Sequence, residues 1–157
     1  MKETLIRDAL DWSTQKSEFE TDETLRDIYV RDTTVDDWRI VLRRILDGAY
    51  HAGLERAGVA VPLPENIESL FEEDHRHLLQ VSINRVALSC HFFTPTEIEF
   101  SFSPEGITEA ALKDLLAFMI DIGDAAKKPV MMTPENCPES PIFTYEPNQN
   151  QLRWMSP

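Results

Sequence analysis

The sequence predicts an α+β fold, in which two main helices pack on one face of an antiparallel or mixed sheet. Three observations favour this class: a central run of apolar residues with period two, two long segments with helical spacing, and short strand-like segments on either side of them. Polar and apolar residues alternate cleanly in the central run, so the second face of the sheet is expected to be open to solvent or thinly covered. A length of 157 residues suits one α+β domain, 1–157.

The central segment, residues 79–102, predicts a three-stranded antiparallel meander. Its apolar positions change phase by one residue at 84–85, where a two-residue turn keeps all of them on one face. This register sets Val81 opposite Leu88. A second turn at 94–96 preserves the same face in the third strand. The apolar residues of this face are Leu79, Val81, Ile83, Val86, Leu88, Cys90, Phe92, Ile98, Phe100 and Phe102.

Two segments, 34–47 and 108–126, have the spacing of amphipathic helices. Thr34 can cap the first helix through its hydroxyl oxygen, and Gly48 is placed to end it. Pro129 prevents the second helix from continuing. The apolar stripes are Val35, Trp38, Val41, Leu42, Ile45 and Leu46 in the first, and Leu112, Leu115, Leu116, Met119 and Ile122 in the second.

The remaining segments predict shorter elements. They are an amphipathic helix over 3–15, a loop over 16–24, a strand over 25–30, one or two short strands within 49–64, a helical turn over 66–71, a strand over 130–132 and a hairpin of 142–145 with 151–154. Both long helices then follow a strand, so each can connect two strands across one face of a shared sheet.

Charge limits the classes of partner. The chain has 28 acidic and 15 basic residues, a formal net charge of −13, and the acids are spread along its length. Such a surface repels phosphate backbones and anionic lipid headgroups, so we expect neither a nucleic-acid nor a membrane partner. An acidic surface provides solubility, and it can also attract a basic protein.

The apolar runs and the cysteines indicate the cellular compartment of the protein. No run approaches the ~18 apolar residues of a membrane span, and the first eight residues carry charges where a signal peptide is apolar. Cys90 lies on the apolar face of a predicted strand, whereas Cys137 lies in a proline-rich loop, so the pattern does not favour a disulfide. We therefore expect a cytoplasmic protein.

One segment contains several metal-ligating residue types. His75 and His77 are separated by one residue, so in a strand they would point the same way, and Glu73 could complete a ligand set. The same residues stand at a helix-to-strand junction, where a solvated polar cluster is the simpler interpretation. A small metal- or ligand-binding enzyme domain that uses this cluster is the alternative function.

The polar face of the meander is the predicted binding surface. Its candidate residues are Gln80, Ser89, His91, Glu97 and Glu99. Paired carboxylates can act as acid and base, but on an exposed strand face they more often solvate the sheet and prevent edge pairing. Cys90 and His91 point to opposite faces and cannot act as a nucleophile and base pair. We assign no catalytic residue.

These observations favour a non-enzymatic function. The chain lacks G-x-G-x-x-G, phosphate-loop, G-x-S-x-G and zinc-ribbon motifs, and no cofactor is expected. The predicted function is an acidic cytoplasmic protein-interaction module, such as a toxin-neutralising, immunity-like or adaptor protein. Its expected partner is a basic protein or a second copy of the chain as a homodimer.

Overall fold

The computed structural model of the chain describes residues 1–48, 50–72 and 76–155. These residues form one antiparallel sheet of nine strands together with four α-helices. The predicted α+β class is therefore confirmed, and every pairing between neighbouring strands is antiparallel.

The elements follow one another along the chain with short connections. The helices are α1 (Lys2–Ala9), α2 (Trp12–Gln15), α3 (Val35–Leu46) and α4 (Glu109–Ala126). The strands are β1 (Arg26–Arg31), β2 (His51–Arg56), β3 (Val59–Ala60), β4 (His77–Ile83), β5 (Val86–His91), β6 (Glu97–Phe102), β7 (Val130–Pro134), β8 (Phe143–Glu146) and β9 (Gln151–Trp154). Short 3-10 turns occupy Lys16–Phe19, Ile67–Phe71 and Pro147–Gln149.

The strand order is β3-β2-β4-β5-β6-β1-β7-β8-β9. The first strand of the chain, β1, thus lies inside the sheet with β6 on one side and β7 on the other. Since β6 and β7 are both antiparallel to β1, they run parallel to each other, and α4 connects them. This arrangement brings the N-terminal part of the chain next to the meander strands.

Strands β4, β5 and β6 are consecutive neighbours with a register that keeps one face apolar. Val81 lies opposite Leu88, and Cys90 lies opposite Phe100. The turn between β4 and β5 contains Asn84 with a φ of 51°, a left-handed conformation that asparagine adopts more readily than most residues. We call the apolar side of the sheet the helix face and the opposite side the open face.

The helix face carries the core. In α3, Thr34 accepts a hydrogen bond from the Asp37 amide, and the Asp37 carboxylate accepts one from the Thr34 amide, which forms a capping box. The buried stripes of α3 and α4 belong to the same cluster of buried side chains as the strand residues. Trp38 packs edge-on to Phe71, and Phe100 of β6 packs edge-on to Phe118 of α4.

The N-terminal segment differs from its prediction. Instead of one helix over 3–15, the chain forms α1 and α2 with a break at Leu10, whose ψ of 122° is extended. Gln15 stabilises the break: its side-chain oxygen accepts from the Asp11 amide, and its side-chain nitrogen donates to the Ala9 carbonyl. A single helix would leave this buried amide without those partners, and helical periodicity alone cannot reveal that.

The predicted loop over 16–24 contains a 3-10 turn that buries Phe19. The Arg26 guanidinium holds this loop by donating to the carbonyl oxygens of Glu18 and Glu20.

Among the described residues, no helix combines the length and apolar character needed to cross a bilayer.

Candidate functional site

Strand register aligns polar side chains across the open face. Gln80 lies opposite Ser89, Ser89 opposite Ser101, Ser101 opposite Asp27, and Asp27 opposite Thr133. These residues come from five neighbouring strands, so the row crosses the middle of the sheet. Directly opposite residues on neighbouring strands have Cβ atoms ~5 Å apart, so the row is continuous, although its Asp27 and Thr133 end is buried.

A concave region lies over β5, β6 and β1 on this face, with a volume of about 450 Å³. We call it the cleft. Its size falls at the lower end of the range for ligand sites and suits one or two side chains. The residues that line it are Leu25, Asp27, Ala87, Ser89, His91, Phe93, Glu99, Ser101, Phe102, Ser103, Glu135 and Asn136.

Asp27 is the most deeply placed acid of the cleft, with 1% of its surface exposed. The Asn136 amide donates to its Oδ2 at 2.8 Å, the Tyr29 hydroxyl donates to the same oxygen at 3.1 Å, and the Ser101 hydroxyl donates to Oδ1 at 2.8 Å. Three donors satisfy a carboxylate that burial would otherwise destabilise. Asp27 thereby fixes the loop that begins at Glu135 over the sheet.

Glu99 occupies a different environment in the same cleft. It is half-buried and lies opposite Tyr29 of β1. Burial raises the pKa of Glu99 to about 7, and the negative charges of Asp27, Glu97 and Glu135 add to this effect. Each of these influences disfavours the ionised form. The described residues place no hydrogen-bond donor or cation on the Glu99 carboxylate.

The rim of the cleft is apolar and aromatic. Phe93 is 73% exposed and stacks on His91 with a ring-centroid distance of 5.2 Å. Leu25 is 41% exposed on the other side, where its amide donates to a Glu135 carboxylate oxygen at 2.6 Å. Phe93 and Leu25 thus place two exposed apolar side chains beside the acidic groups of the cleft.

The structure brings together three of the five predicted surface residues. Ser89, His91 and Glu99 line the cleft. Glu97 lies beside it and forms an ion pair with Arg31 at 3.7 Å. Gln80 is exposed farther along the sheet, where its side-chain nitrogen is 3.5 Å from a Glu55 carboxylate oxygen. That these residues bind a partner stays a prediction.

The predicted metal cluster falls mainly outside the described residues. Glu73 and His75 are not among them, so the metal site stays a prediction. His77 begins β4 and packs edge-on to Phe92 with centroids 6.4 Å apart. Within the ranges that the structure describes, no three His, Cys, Asp or Glu side chains are arranged to hold a metal ion.

Cys90 is a core residue. Its side chain is fully buried on the helix face, and burial raises the pKa of its thiol. His91, the next residue, is exposed on the open face. Their side chains therefore lie on opposite sides of the sheet, as alternation in a strand requires.

Sequence reasoning missed Asp27, Glu135 and Asn136. Aspartate is depleted in strand interiors, so its place next to Ile28 within an apolar strand was a signal for a special environment. Glu135 and Asn136 lie more than a hundred residues away in a loop, and only the pairing of β1 with β7 brings them to Asp27. No local pattern reports that contact.

Comparisons of the chain with family models, with curated proteins and with solved structures gave no match. The chemistry and geometry of the site itself are therefore what indicate a function. The fold and the cleft define an α+β protein with an open sheet face on which acidic groups and an exposed aromatic side chain lie together.

Proposed function

We propose that this protein is a non-catalytic interaction module whose open sheet face binds a basic segment of a partner protein. The observation that carries the proposal is the environment of Glu99. Its carboxylate lines a concave surface and has three other carboxylates near it, and none of the described residues places a cation on it. A lysine or arginine side chain from a partner supplies the missing positive charge and favours the ionised form of Glu99.

Charge complementarity supports the same partner. The net charge of −13 attracts a basic protein at long range. At short range, the acids of the cleft can form direct contacts with its basic side chains. In the free protein, the ionised form of a half-buried carboxylate is destabilised by the like charges around it. A bound cation offsets that repulsion, and the relief of the repulsion favours the complex.

The hydrogen bonds of the cleft suit a binding surface better than a catalytic one. The Ser101 hydroxyl donates to Asp27, and that carboxylate also accepts from the Asn136 amide. These groups are engaged with one another, which favours a positioning role for Ser101 over that of a nucleophile. The bonds instead hold the strand and the loop in a fixed relation.

A cytoplasmic toxin-neutralising, immunity-like or adaptor protein is the biological class that we propose on these grounds. Such proteins present an acidic surface to a basic partner and need no cofactor. A second copy of the chain is the alternative occupant of the open face. Sedimentation at several protein concentrations distinguishes the two, because only self-association changes the mass of the pure protein.

The experiment uses a short lysine- and arginine-rich peptide as a defined basic probe. Its affinity is measured by isothermal titration for the wild type and for the triple variant Glu97→Gln/Glu99→Gln/Glu135→Gln. We expect the variant to bind at least fivefold more weakly at low salt. We also expect the difference to shrink at high salt, because exposed charges are screened beyond ~8–10 Å at physiological ionic strength.

The matched control removes the same number of charges elsewhere. Glu3, Asp8 and Glu20 are exposed acids that do not line the cleft. The control variant Glu3→Gln/Asp8→Asn/Glu20→Gln therefore has the same net charge as the cleft variant, and it should bind almost as well as the wild type. Equal weakening in both variants would show that the peptide reports only net charge, and the proposal would be wrong.

A further inference from the structure

We propose that the cleft recognises a bipartite segment of the partner, in which one lysine or arginine enters the acidic cleft and a neighbouring apolar or aromatic side chain packs on Phe93. This inference rests on the proposed function and specifies the chemistry of the partner. Charge complementarity requires only that the partner carry a basic group. The geometry of the rim adds a second requirement, which charge alone does not supply.

The first part of the recognition is the cation. Asp27, Glu99 and Glu135 line the cleft, but they are not equivalent. Asp27 already accepts three hydrogen bonds, and Glu135 accepts one from the Leu25 amide. Glu99 therefore has the most accepting capacity left for an ammonium or guanidinium group, while the other two contribute charge.

The second part is the apolar contact. Phe93 exposes 73% of its surface, the largest exposed fraction among the large apolar residues between Leu25 and Met155 in the described ranges. Its ring stacks on that of His91, so the two rings together offer an exposed apolar surface to a partner. Aromatic side chains are enriched among the residues that anchor protein interfaces.

A second hollow adjoins this rim. It has a volume of about 380 Å³ and shares His91 and Phe93 with the cleft. Its other walls include the apolar side chains of Leu70, Leu78 and Phe92. The pair His91 and Phe93 thus forms a ridge with an acidic cleft on one side and a partly apolar hollow on the other, so an apolar side chain next to the cation has a surface to cover.

The partner segment must be recognised through its side chains. Strands β5, β6 and β1 each have a neighbour on both sides, so none of them offers a free sheet edge to an added strand. The segment lies across the face rather than along an edge. In an extended segment, alternate side chains point to the same side, ~7 Å apart, which allows a cation and an apolar group to face the sheet together.

The test uses nine-residue peptides with a glycine and serine background, because their low charge keeps non-specific attraction small. One series contains a single lysine, and a second contains one lysine and one phenylalanine at spacings of one to four residues. Binding is followed by amide chemical shifts of Ser89, Ser101 and neighbouring residues. We expect the best peptide with both groups to bind at least fivefold tighter than the peptide with lysine alone.

Three variants test whether that gain comes from the ridge. Phe93→Ala should reduce the ratio of the two affinities, that for the phenylalanine peptide over that for the lysine peptide, to about one. Val59→Ala removes another exposed apolar side chain, 66% exposed in the edge strand β3, and should leave both affinities unchanged. Thermal unfolding checks that Phe93→Ala is folded, and Phe93→Leu gives a milder second variant that should restore part of the advantage.

The outcomes separate the inference from the proposal beneath it. If the lysine peptide and the two-group peptide bind equally, the inference is wrong while the proposed function stands. If basic probes bind without regard to the cleft acids, the proposed function is wrong as well. If a free alkylamine binds as tightly as the peptides, the cleft takes a small cation and the inference of a protein segment is overturned.

Discussion

On the helix face of the sheet, side chains from the central strands pack against aromatic and aliphatic residues of α3 and α4, whereas on the open face the same strands carry serine, histidine and carboxylate groups. Phe100 and Glu99 are adjacent in β6 and illustrate the difference. Phe100 is fully buried and packs edge-on to Phe118. Glu99 is half-buried, and burial together with the negative charges around it raises its pKa to about 7.

One face of β6 therefore contributes apolar burial, whereas on the other face neighbouring carboxylates repel one another. Burial of apolar surface is worth roughly 25 cal/mol per Å², and the buried apolar side chains of the central strands lie on the helix face. Local destabilisation on the open face is tolerable because the helix face compensates for it. Groups that oppose folding in this way are characteristic of binding sites.

The largest expected effect is on the helix face. Phe100→Ala should lower the free energy of unfolding by about 3–5 kcal/mol, because it leaves a cavity between β6 and α4. Urea denaturation measures this change. On the other face, Phe93→Ala removes an exposed ring and should change stability by no more than about 0.5 kcal/mol. A comparable loss in both variants would refute the distinction between the two faces.

Asp27 is the exception on the open face. Asp27→Ala removes the acceptor for the Asn136 amide, the Ser101 hydroxyl and the Tyr29 hydroxyl, and should cost about 2 kcal/mol in the free energy of unfolding. Chemical denaturation gives the value, and hydrogen exchange of the Asn136 amide should accelerate. The control Glu97→Ala breaks an exposed ion pair and should cost less than about 1 kcal/mol.

Substitution of one glycine on each side of the fold should change the free energy of unfolding by a smaller amount. A Cβ at Gly123 of α4 would lie 2.7 Å from a ring carbon of Tyr145, so Gly123→Ala should destabilise by about 1–2 kcal/mol although alanine favours helices. Gly53 lies on the open face opposite Gln80 and has nothing within 4 Å of such an atom. Gly53→Ala should be neutral or stabilise by up to about 0.5–1 kcal/mol. Thermal unfolding compares both variants, and destabilisation by Gly53→Ala alone would contradict the expectation.

The α+β class was predictable because alternation and helical spacing are local properties of the sequence. The alternation within each strand is enough to assign Val81 and Leu88 to the buried face, and they lie opposite each other in the structure. The position of β1 between β6 and β7 was not predictable, because no residue of β1 specifies its neighbours. That placement decides which loop covers Asp27.

The candidate site was predictable only in part. Ser89, His91 and Glu99 follow from strand alternation alone, and they do line the cleft. Phe93 also shares the parity of His91, but an isolated exposed phenylalanine gives no signal in a sequence that contains eight. Asp27, Glu135 and Asn136 needed long-range pairing. Charge counting likewise could not locate the concentration of acids, because they are spread along the whole chain.

The smallest expected effect concerns the pH dependence of stability that Glu99 introduces. The pKa of this carboxyl is raised from 4.5 in the unfolded chain to about 7 in the folded one. Between these values the folded protein retains a proton that the unfolded chain has released, so this group lowers the free energy of unfolding as the pH rises. The penalty is complete above pH 7 and absent below pH 4.5.

Glu99→Gln should remove this contribution while it preserves the size of the side chain. Because Glu99 is only half-buried, solvent screening reduces the expected gain to about 1 kcal/mol at pH 8, with little gain near pH 5. Urea denaturation at pH 5, 6, 7 and 8 measures the difference between variant and wild type. The control Glu20→Gln changes an exposed acid that does not line the cleft and should show no such rise. A gain that is the same at every pH would mean that Glu99 is ionised throughout, and the repulsion that we assign to the open face would be absent.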